Sequence, residues 1–386
     1  MNKELNTIRT DVVGSLLRPA ELREARARYD QGAVSAEGLR LVEDAAIRGA
    51  VELQQAAGLD VVTDGEFRRL NFQDSFGEAI GGYDSGRATL GFYQRQTAGA
   101  QAMARFEIPL DKPVARGTPV TQRQRAIERL YLRRNLVLDE YRFAATVSSR
   151  PVKVSLVGPD RISQRIDLRN SGEIYATMED FLADVVRIER QMIESIVQAG
   201  CRYVQIDEPG YTAYVDEPSL QGMRERGQDP WANFSGTIEA NNQLIAGFDS
   251  TTFGIHLCRG NQRSMWHREG SYDAIAERLF NELKYDRFLL EYDSPRAGSF
   301  EPLRFVPKGK MLVLGLISTK VATLETVDGL KRRIEEAAKY LPLEQLALSP
   351  QCGFASDFIG NLVSEDDQKR KLEVLVETAR QVWGSA

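Results

Sequence analysis

Histidine and cysteine are scarce in this chain: its 386 residues include two of the first and three of the second. Three thiols, odd in number and widely spaced, make no disulfide framework, which leaves them reduced and available as ligands or nucleophiles. A basic surplus is missing too. With 50 Lys and Arg against 55 Asp and Glu, a formal net charge of -5 and no polybasic run near either end, nothing argues for nucleic acid as a partner. Long apolar runs are also absent. No stretch approaches the roughly 20 apolar residues of a membrane span, and the opening MNKELNTIRTDVVGS has no apolar core of the secretory kind. These absences predict a cytoplasmic protein that engages no membrane. There is no internal repeat and no low-complexity tract, and the oligomeric state stays open, an oligomer being possible.

What the chain does have is alternation. Its 42% hydrophobic residues suit an ordinary globular core. Eight short apolar runs end in polar or glycine-containing exits: DVVGS near 11, LDVVTDGE near 59, VKVSLVGP near 152, RYVQIDEP near 202, FGIHLC near 253, RFLLEYD near 287, MLVLGLIS near 311 and LALSPQC near 346. Most are nearly continuous in Val, Ile and Leu, as expected of parallel strands covered on both faces. Helical periodicity fills the intervals, as in 178–200, 271–284 and 326–341, the first of which stops at a glycine. Eight such alternations predict an α/β fold, a (β/α)8 TIM barrel forming one catalytic domain over 1–386, with a doubly wound open sheet as the alternative. Two stretches exceed what a barrel needs: an irregular or hairpin insertion at about 77–120, after the second strand, and Tyr211 to Gly236, after the fourth. Either could act as a lid over the strands' C-terminal mouth.

Barrel active sites are built at the C-terminal ends of strands, and here those ends carry the unusual residues. The fifth run ends in His256 and Cys258, the sixth in Glu291, the eighth in Cys352, the fourth in Asp207 and Glu208, the second in Asp64 and Glu66. At i and i+2 on one strand, His256 and Cys258 point the same way. One imidazole, two thiolates and one carboxylate make a plausible tetrahedral Zn2+ set, in which Glu291 is the weakest ligand and the natural one to yield to substrate. A thiol entering such a site becomes a thiolate nucleophile at neutral pH, which suggests S-alkylation. Plainer readings exist for each group. His256, Cys258 and Cys352 could be core residues; Glu291 could pair with Arg296 or Arg304; Asp207 and Glu208 could cap the turn at Pro209; Glu66 could pair with Arg68 or Arg69. Cys201 reads as core, His267 as solvated or supporting the site from outside. Tyr211, Tyr214, Trp231 and Trp266 could line the pocket or merely pack.

The ordered motifs VVGSLLRP, DGEFRR, QIDEPGY, HLCRGN, EYDSPRAGSFEPL and LSPQCGF resemble the catalytic barrel of cobalamin-independent methionine synthase and its short single-barrel relatives, which include epoxyalkane:coenzyme M transferase. The resemblance runs from about Asp11 to Trp383. It implies zinc held by His256, Cys258, Glu291 and Cys352. It also implies that Ser15, Glu66 and Asp207 hold the amino acid part of homocysteine, with Glu66 and Asp207 as the acidic groups of the catalytic centre.

The match fails where the methyl donor would be met. The family's proton-donating histidine at the exit of the seventh strand falls on Ile317, and its tryptophan beneath the pterin falls on Arg165. An isoleucine has no proton to give a leaving folate nitrogen, so turnover of methyltetrahydrofolate without another component is expected to be weak. The expectation is therefore a zinc-dependent S-methyltransferase acting on a small-molecule thiol such as homocysteine, with methylfolate, a methylcorrinoid protein or another donor. The alternatives are alkyl transfer from an epoxide to a thiol cofactor, and a zinc-stabilised binding protein without catalysis. An α-amino thiol needs anionic partners such as Glu66 and Asp207, while a sulfonate thiol needs cationic ones, for which Arg18, Arg259 and Arg165 are the candidates.

Overall fold

Six of the eight apolar runs become strands of one parallel sheet in the computed structural model, which describes residues 3–84 and 123–384. Among the described residues two strands precede that sheet, β1 (Ile80–Tyr83) and β2 (Ala126–Leu132), and pair with each other antiparallel. The sheet itself runs in chain order through β3 (Lys153–Val157), β4 (Tyr203–Asp207), β5 (Thr252–Leu257), β6 (Arg287–Glu291), β7 (Met311–Ile317) and β8 (Leu346–Pro350). Every residue of these six strands is buried. This is why their sequences are continuous rather than alternating in apolarity.

The helices between them follow their sequence signals. Among the described residues those of nine residues or more are α1 (Ala20–Asp30), α2 (Ala36–Ala57), α3 (Leu136–Val147), α4 (Met178–Gln198), α5 (Glu217–Glu225), α6 (Pro230–Ile245), α7 (Asp273–Glu282), α8 (Val327–Ala337) and α9 (Glu365–Trp383). Hydroxyl N-caps start α2, α4, α8 and α9 at Ser35, Thr177, Thr326 and Ser364, each accepting a backbone N–H of the first turn. The excursion at Tyr211 to Gly236 is mostly helical: a 3-10 turn over Pro209–Val215, then α5 and the start of α6. Of the insertion at 77–120, the described part belongs to the β1–β2 ribbon and the segment before it; 85–122 lies outside the described residues.

The first two apolar runs depart from the expectation, for a physical reason. Each meets the sheet through a single parallel bridge, Thr10 beside Leu348 and Val62 beside Val152. Side chains hold backbone groups that a longer ladder would use. Asp60 Oδ2 accepts the N–H groups of Arg9 and Thr10, both at 3.0 Å, and the Gln54 amide takes both the N–H and the carbonyl of Thr63.

Register puts like residues in rows on one face of the sheet. Lys153 lies beside Tyr203 and Thr252 at the start, and Val157 beside Asp207 and His256 at the exit. On that face Leu289, Met311, Val313 and Ala347 form their own apolar cluster, while the alternate residues Leu290, Leu312, Leu314 and Leu348 join the large core shared with the helices. At the start of the strands Asp11 accepts from Lys153 Nζ at 2.6 Å, Tyr203 Oη at 2.6 Å and Arg287 Nη2 at 3.2 Å, all fully buried. This knot ties the first apolar run to the third, fourth and sixth. The exits of the same strands are left for chemistry.

Candidate metal and thiol site

Strand β5 delivers His256 and, one residue beyond its end, Cys258; the turn after β8 delivers Cys352. Their ligand atoms all lie within 4.8 Å of one another, and all three residues are buried. His256 Nδ1 lies 3.1 Å from the Leu289 carbonyl, which fixes the tautomer with Nδ1 as donor and leaves Nε2 as the free lone pair. Nε2 is buried with no hydrogen-bond partner among the described residues. A buried acceptor of this kind is costly unless something binds it. Of the two thiols, Cys258 is drawn well below its usual range, first by the hydrogen bond from Cys352 and then by His256, and Cys352 is pushed up by the same contact. Burial opposes charge on His256, yet the neighbouring Cys258, Asp207 and Glu291 raise it. The contact favours a thiolate on Cys258 and a thiol on Cys352.

Glu291 stands beside this group and outside the mutual 4.8 Å set. Its Oε2 accepts the Arg259 N–H at 2.7 Å, and its Oε1 lies 3.5 Å from Lys320 Nζ and 3.6 Å from Arg296. Arg304, the other suggested partner, pairs with Asp273 and Glu301 instead. Lys320 is a residue the sequence reading missed. It is 2% exposed, and its Nζ makes no hydrogen bond among the described residues. Ile317 is fully buried hydrocarbon at the end of β7, and the cation three residues later comes to the site in its place. The signal was legible as the polar exit STK after an all-apolar run.

Glu66 is buried with φ 58, the left-handed region rarely taken by residues other than glycine. Three contacts hold it there: its N–H donates to Asp64 Oδ1 at 2.9 Å, its carbonyl accepts from Arg18 at 2.8 Å, and its Oε1 accepts from Ser155 Oγ at 2.9 Å. Such an outlier persists only where its surroundings over-determine it. The pairings suggested for it from sequence are weak or absent: Arg68 bonds Asp44, and Arg69 makes its close bonds to Glu140, with Glu66 Oε2 3.9 Å away. Asp207, at the end of β4, accepts from Gln205 Nε2 at 2.7 Å, and burial, aided by Glu66, pushes its carboxyl up to about 7. Neither it nor Glu208 caps the turn at Pro209: the oxygens of Glu208 accept instead the N–H groups of Asp160 and Arg161, in the short helix Pro159–Ser163 after β3, and the Asn241 amide.

Ser15 is buried against the last turn, its carbonyl accepting the Phe354 N–H at 2.8 Å and its Oγ lying where a Cβ on Gly353 would stand, 2.0 Å away. Gly14, its neighbour, faces Glu66, whose Oε1 is 2.5 Å from where a Cβ would be. Gly14→Ala is therefore expected to push the Glu66 carboxylate aside and weaken binding of an α-amino thiol by about tenfold while zinc content stays unchanged. Titration calorimetry with zinc analysis checks both, and unchanged thiol affinity would remove Glu66 from the substrate pocket.

One of the cations proposed for a sulfonate is committed elsewhere: Arg18 donates to the carbonyls of Leu16, Ala355, Glu66 and Arg69. Arg259 is fully buried and stacks on Tyr272 at 4.4 Å, and its guanidinium nitrogens have no hydrogen-bond partner among the described residues. Arg165 bonds Gln73 at 3.2 Å. Cys201 lies before β4, its Sγ 3.3 Å from the Tyr203 carbonyl, at the strand end away from His256. Tyr211 and Tyr214 pack with Phe234, Trp266 carries Arg296, and Trp231 is partly exposed. His267 lines the cleft that opens on Cys258.

A parallel α/β sheet with an imidazole and two thiols converging at its strand exits defines a mixed α/β protein with a metal-competent thiol cluster. The chain belongs to the family of cobalamin-independent synthase catalytic domains, whose model matches residues 8–98 and 111–380. It is 36% identical to the uncharacterized protein YxjH of Bacillus subtilis over 97% of this chain and 94% of that one. It is 25% identical to the methionine synthase of Saccharolobus solfataricus, over 98% and 96%. Among solved structures it resembles a putative vitamin-B12 independent methionine synthase from Listeria monocytogenes, with TM-score 0.71, 26% identity and coverage of 97% and 98%. The B12-independent methionine synthase of Shewanella sp. W3-18-1 shares the fold at TM-score 0.69 and 18% identity, over 97% of each chain.

Proposed function

We propose that this protein is a zinc-dependent thiol S-methyltransferase that acts on homocysteine or a similar small thiol. The observation that carries the reading is the unpartnered, buried Nε2 of His256 beside the thiols of Cys258 and Cys352. The donor set of one nitrogen and two sulfurs suits zinc, with Glu291 as the fourth, displaceable ligand. Zinc bound there would lower the pKa of an incoming thiol so that it is a nucleophile at neutral pH. The chain's own groups do the rest. The Leu289 carbonyl keeps the His256 ring in one tautomer, and Glu66, steadied by Ser155, faces the substrate's ammonium together with Asp207. Asp207 would regain full charge next to that cation. In the transfer the thiolate sulfur forms the new bond to methyl carbon, and the donor keeps the electron pair of the bond that breaks.

The same reading extends to the fold and the setting. The six-stranded sheet closes into a (β/α)8 barrel through the first two apolar runs. This is supported by the Thr10 and Val62 bridges at its two edges and by the Leu16 N–H bonding the Gly65 carbonyl at 3.1 Å between those runs. No helix among the described residues is long and apolar enough to cross a membrane, and the free thiols fit a reducing cytoplasm.

A thiol panel tests the function. Homocysteine added to the zinc-loaded protein is expected to release about one proton per site and to raise the melting temperature, with glutathione doing neither. Were no thiol to release a proton or shift the melting temperature, the cluster would be a structural zinc site or none, and the reading would fall.

A further inference from the structure

Glu291 is anchored at one oxygen only. Its Oε2 accepts the Arg259 N–H at 2.7 Å, which ties it to the turn that carries Cys258, while Oε1 makes no hydrogen bond among the described residues. Two cations flank that second oxygen, Lys320 Nζ at 3.5 Å and Arg296 Nη2 at 3.6 Å. They are not equivalent. Arg296 is partly exposed, pairs also with Asp293 at 3.4 Å and lies over the Trp266 ring. Lys320 is buried, and among the described residues Glu291 is the one carboxylate that pairs with it. The other acids near the exit of β7 have partners of their own. Asp293 accepts from Ser318 Oγ at 2.7 Å, and Glu325 accepts the Ser318 N–H at 2.9 Å and pairs with Lys371 at 2.9 Å. Burying an ammonium that makes no hydrogen bond is unfavourable for folding, so stability does not account for Lys320.

A displaceable ligand must have somewhere to go. A carboxylate pushed off zinc by an incoming thiolate is left charged inside a buried site, which opposes thiol binding unless a counter-charge meets it. We propose that Lys320 is a positioning residue that receives the Glu291 carboxylate when a thiol takes its place on zinc. Oε2 keeps the Arg259 N–H and Oε1 faces the ammonium, the arrangement seen here. A lysine suits this task because its ammonium is a point charge on a flexible stem and can stay close to an oxygen that moves. The pair is Coulombic, with no hydrogen bond to break when the carboxylate returns to the metal. Lys320 acts through Glu291 and not on the reacting atoms. The inference rests on the zinc and thiol reading above.

Two affinities test it: that for zinc, by competition with a chromophoric chelator, and that for homocysteine at saturating zinc, by titration calorimetry. Lys320→Met is expected to hold zinc at least as tightly as wild type, because a competing cation is gone, and to bind homocysteine about tenfold more weakly. Lys320→Gln should do the same, which guards against a packing fault peculiar to methionine, with near-ultraviolet circular dichroism as the check. In a Glu291→Gln background no carboxylate is displaced, so adding Lys320→Met should change homocysteine affinity by less than about twofold. A lysine that merely supports the fold would lower both affinities together, in either background. The proposal is overturned by unchanged homocysteine affinity in both lysine variants, by a parallel fall in their zinc affinity, by an equal loss in the Glu291→Gln background, or by Arg296→Gln reproducing the effect. Wild type that binds no zinc or no homocysteine would bring down the zinc and thiol reading and this inference with it, whereas failure in the variants alone brings down only the inference.

Discussion

Purified protein is expected to carry about one zinc per chain, and Cys258→Ser or Cys352→Ser to lose it. Ligand atoms around a tetrahedral zinc with bonds of ~2.0–2.3 Å sit roughly 3.5–3.8 Å apart, and those of His256, Cys258 and Cys352 already lie within 4.8 Å of one another. Small side-chain shifts complete the shell. Serine keeps the size of cysteine and gives up the thiolate, so either substitution removes a strong soft ligand while barely changing the packing. His256→Gln should act in the same direction, by removing the Nε2 lone pair that the Leu289 carbonyl orients. Elemental analysis after gel filtration reads the result directly. Full zinc occupancy in both serine variants would refute the metal site and, with it, the proposed chemistry.

The second large effect is on stability and lies at the other end of the strands. Asp11→Ala removes the shared acceptor of Lys153, Tyr203 and Arg287, leaving two buried cations without a counter-charge. Breaking a buried pair in this way costs about 3–5 kcal/mol, and a lowered urea midpoint with zinc content maintained is expected. The knot should also respond to acid. Burial works against the Asp11 carboxylate, but Lys153 and Arg287 outweigh it and hold its pKa below the usual aspartate value. A depressed folded-state pKa means that the stability is present above the unfolded value of ~3.9 and is lost as pH falls through the folded one. The gap in urea midpoint between wild type and Asp11→Ala should therefore narrow under strongly acidic conditions. A pH-independent gap, or none, would show that the knot contributes nothing.

Both effects concern residues whose types were conspicuous in the sequence, though legibility differed among them. Cys258 and His256 could be paired from spacing alone, because i and i+2 on a strand share a face. Cys352, nearly a hundred positions away, could be grouped with them only through the expected barrel, which puts all strand ends round one mouth, and through the ordered motifs. Asp11 sat in an apolar run that read as a strand, and nothing local marked it as the counter-ion of Lys153 and Arg287. Runs one and two had strand-like composition yet form only single bridges, since Asp60 and Gln54 hold backbone groups a ladder would need. Glu66 read equally well as a surface ion pair. Its burial and its φ of 58 make it part of the interior instead.

Sequence by itself determined the mixed α/β class, the order of six strands, several of the helices and the residues that bring an imidazole and two thiols to the strand exits. All of these are set by local periodicity, capping chemistry and residue type, which act over a few positions of chain. Tertiary structure alone decided that Lys320 meets Glu291, that Arg18 is spent on carbonyls while Arg259 lies against a tyrosine ring, and that Arg161 and Arg268 share one amide oxygen. Those meetings join residues from different strand exits. They depend on register and loop path, and on which of several competing partners lies within about 3 Å, a quantity that no local pattern in a chain encodes.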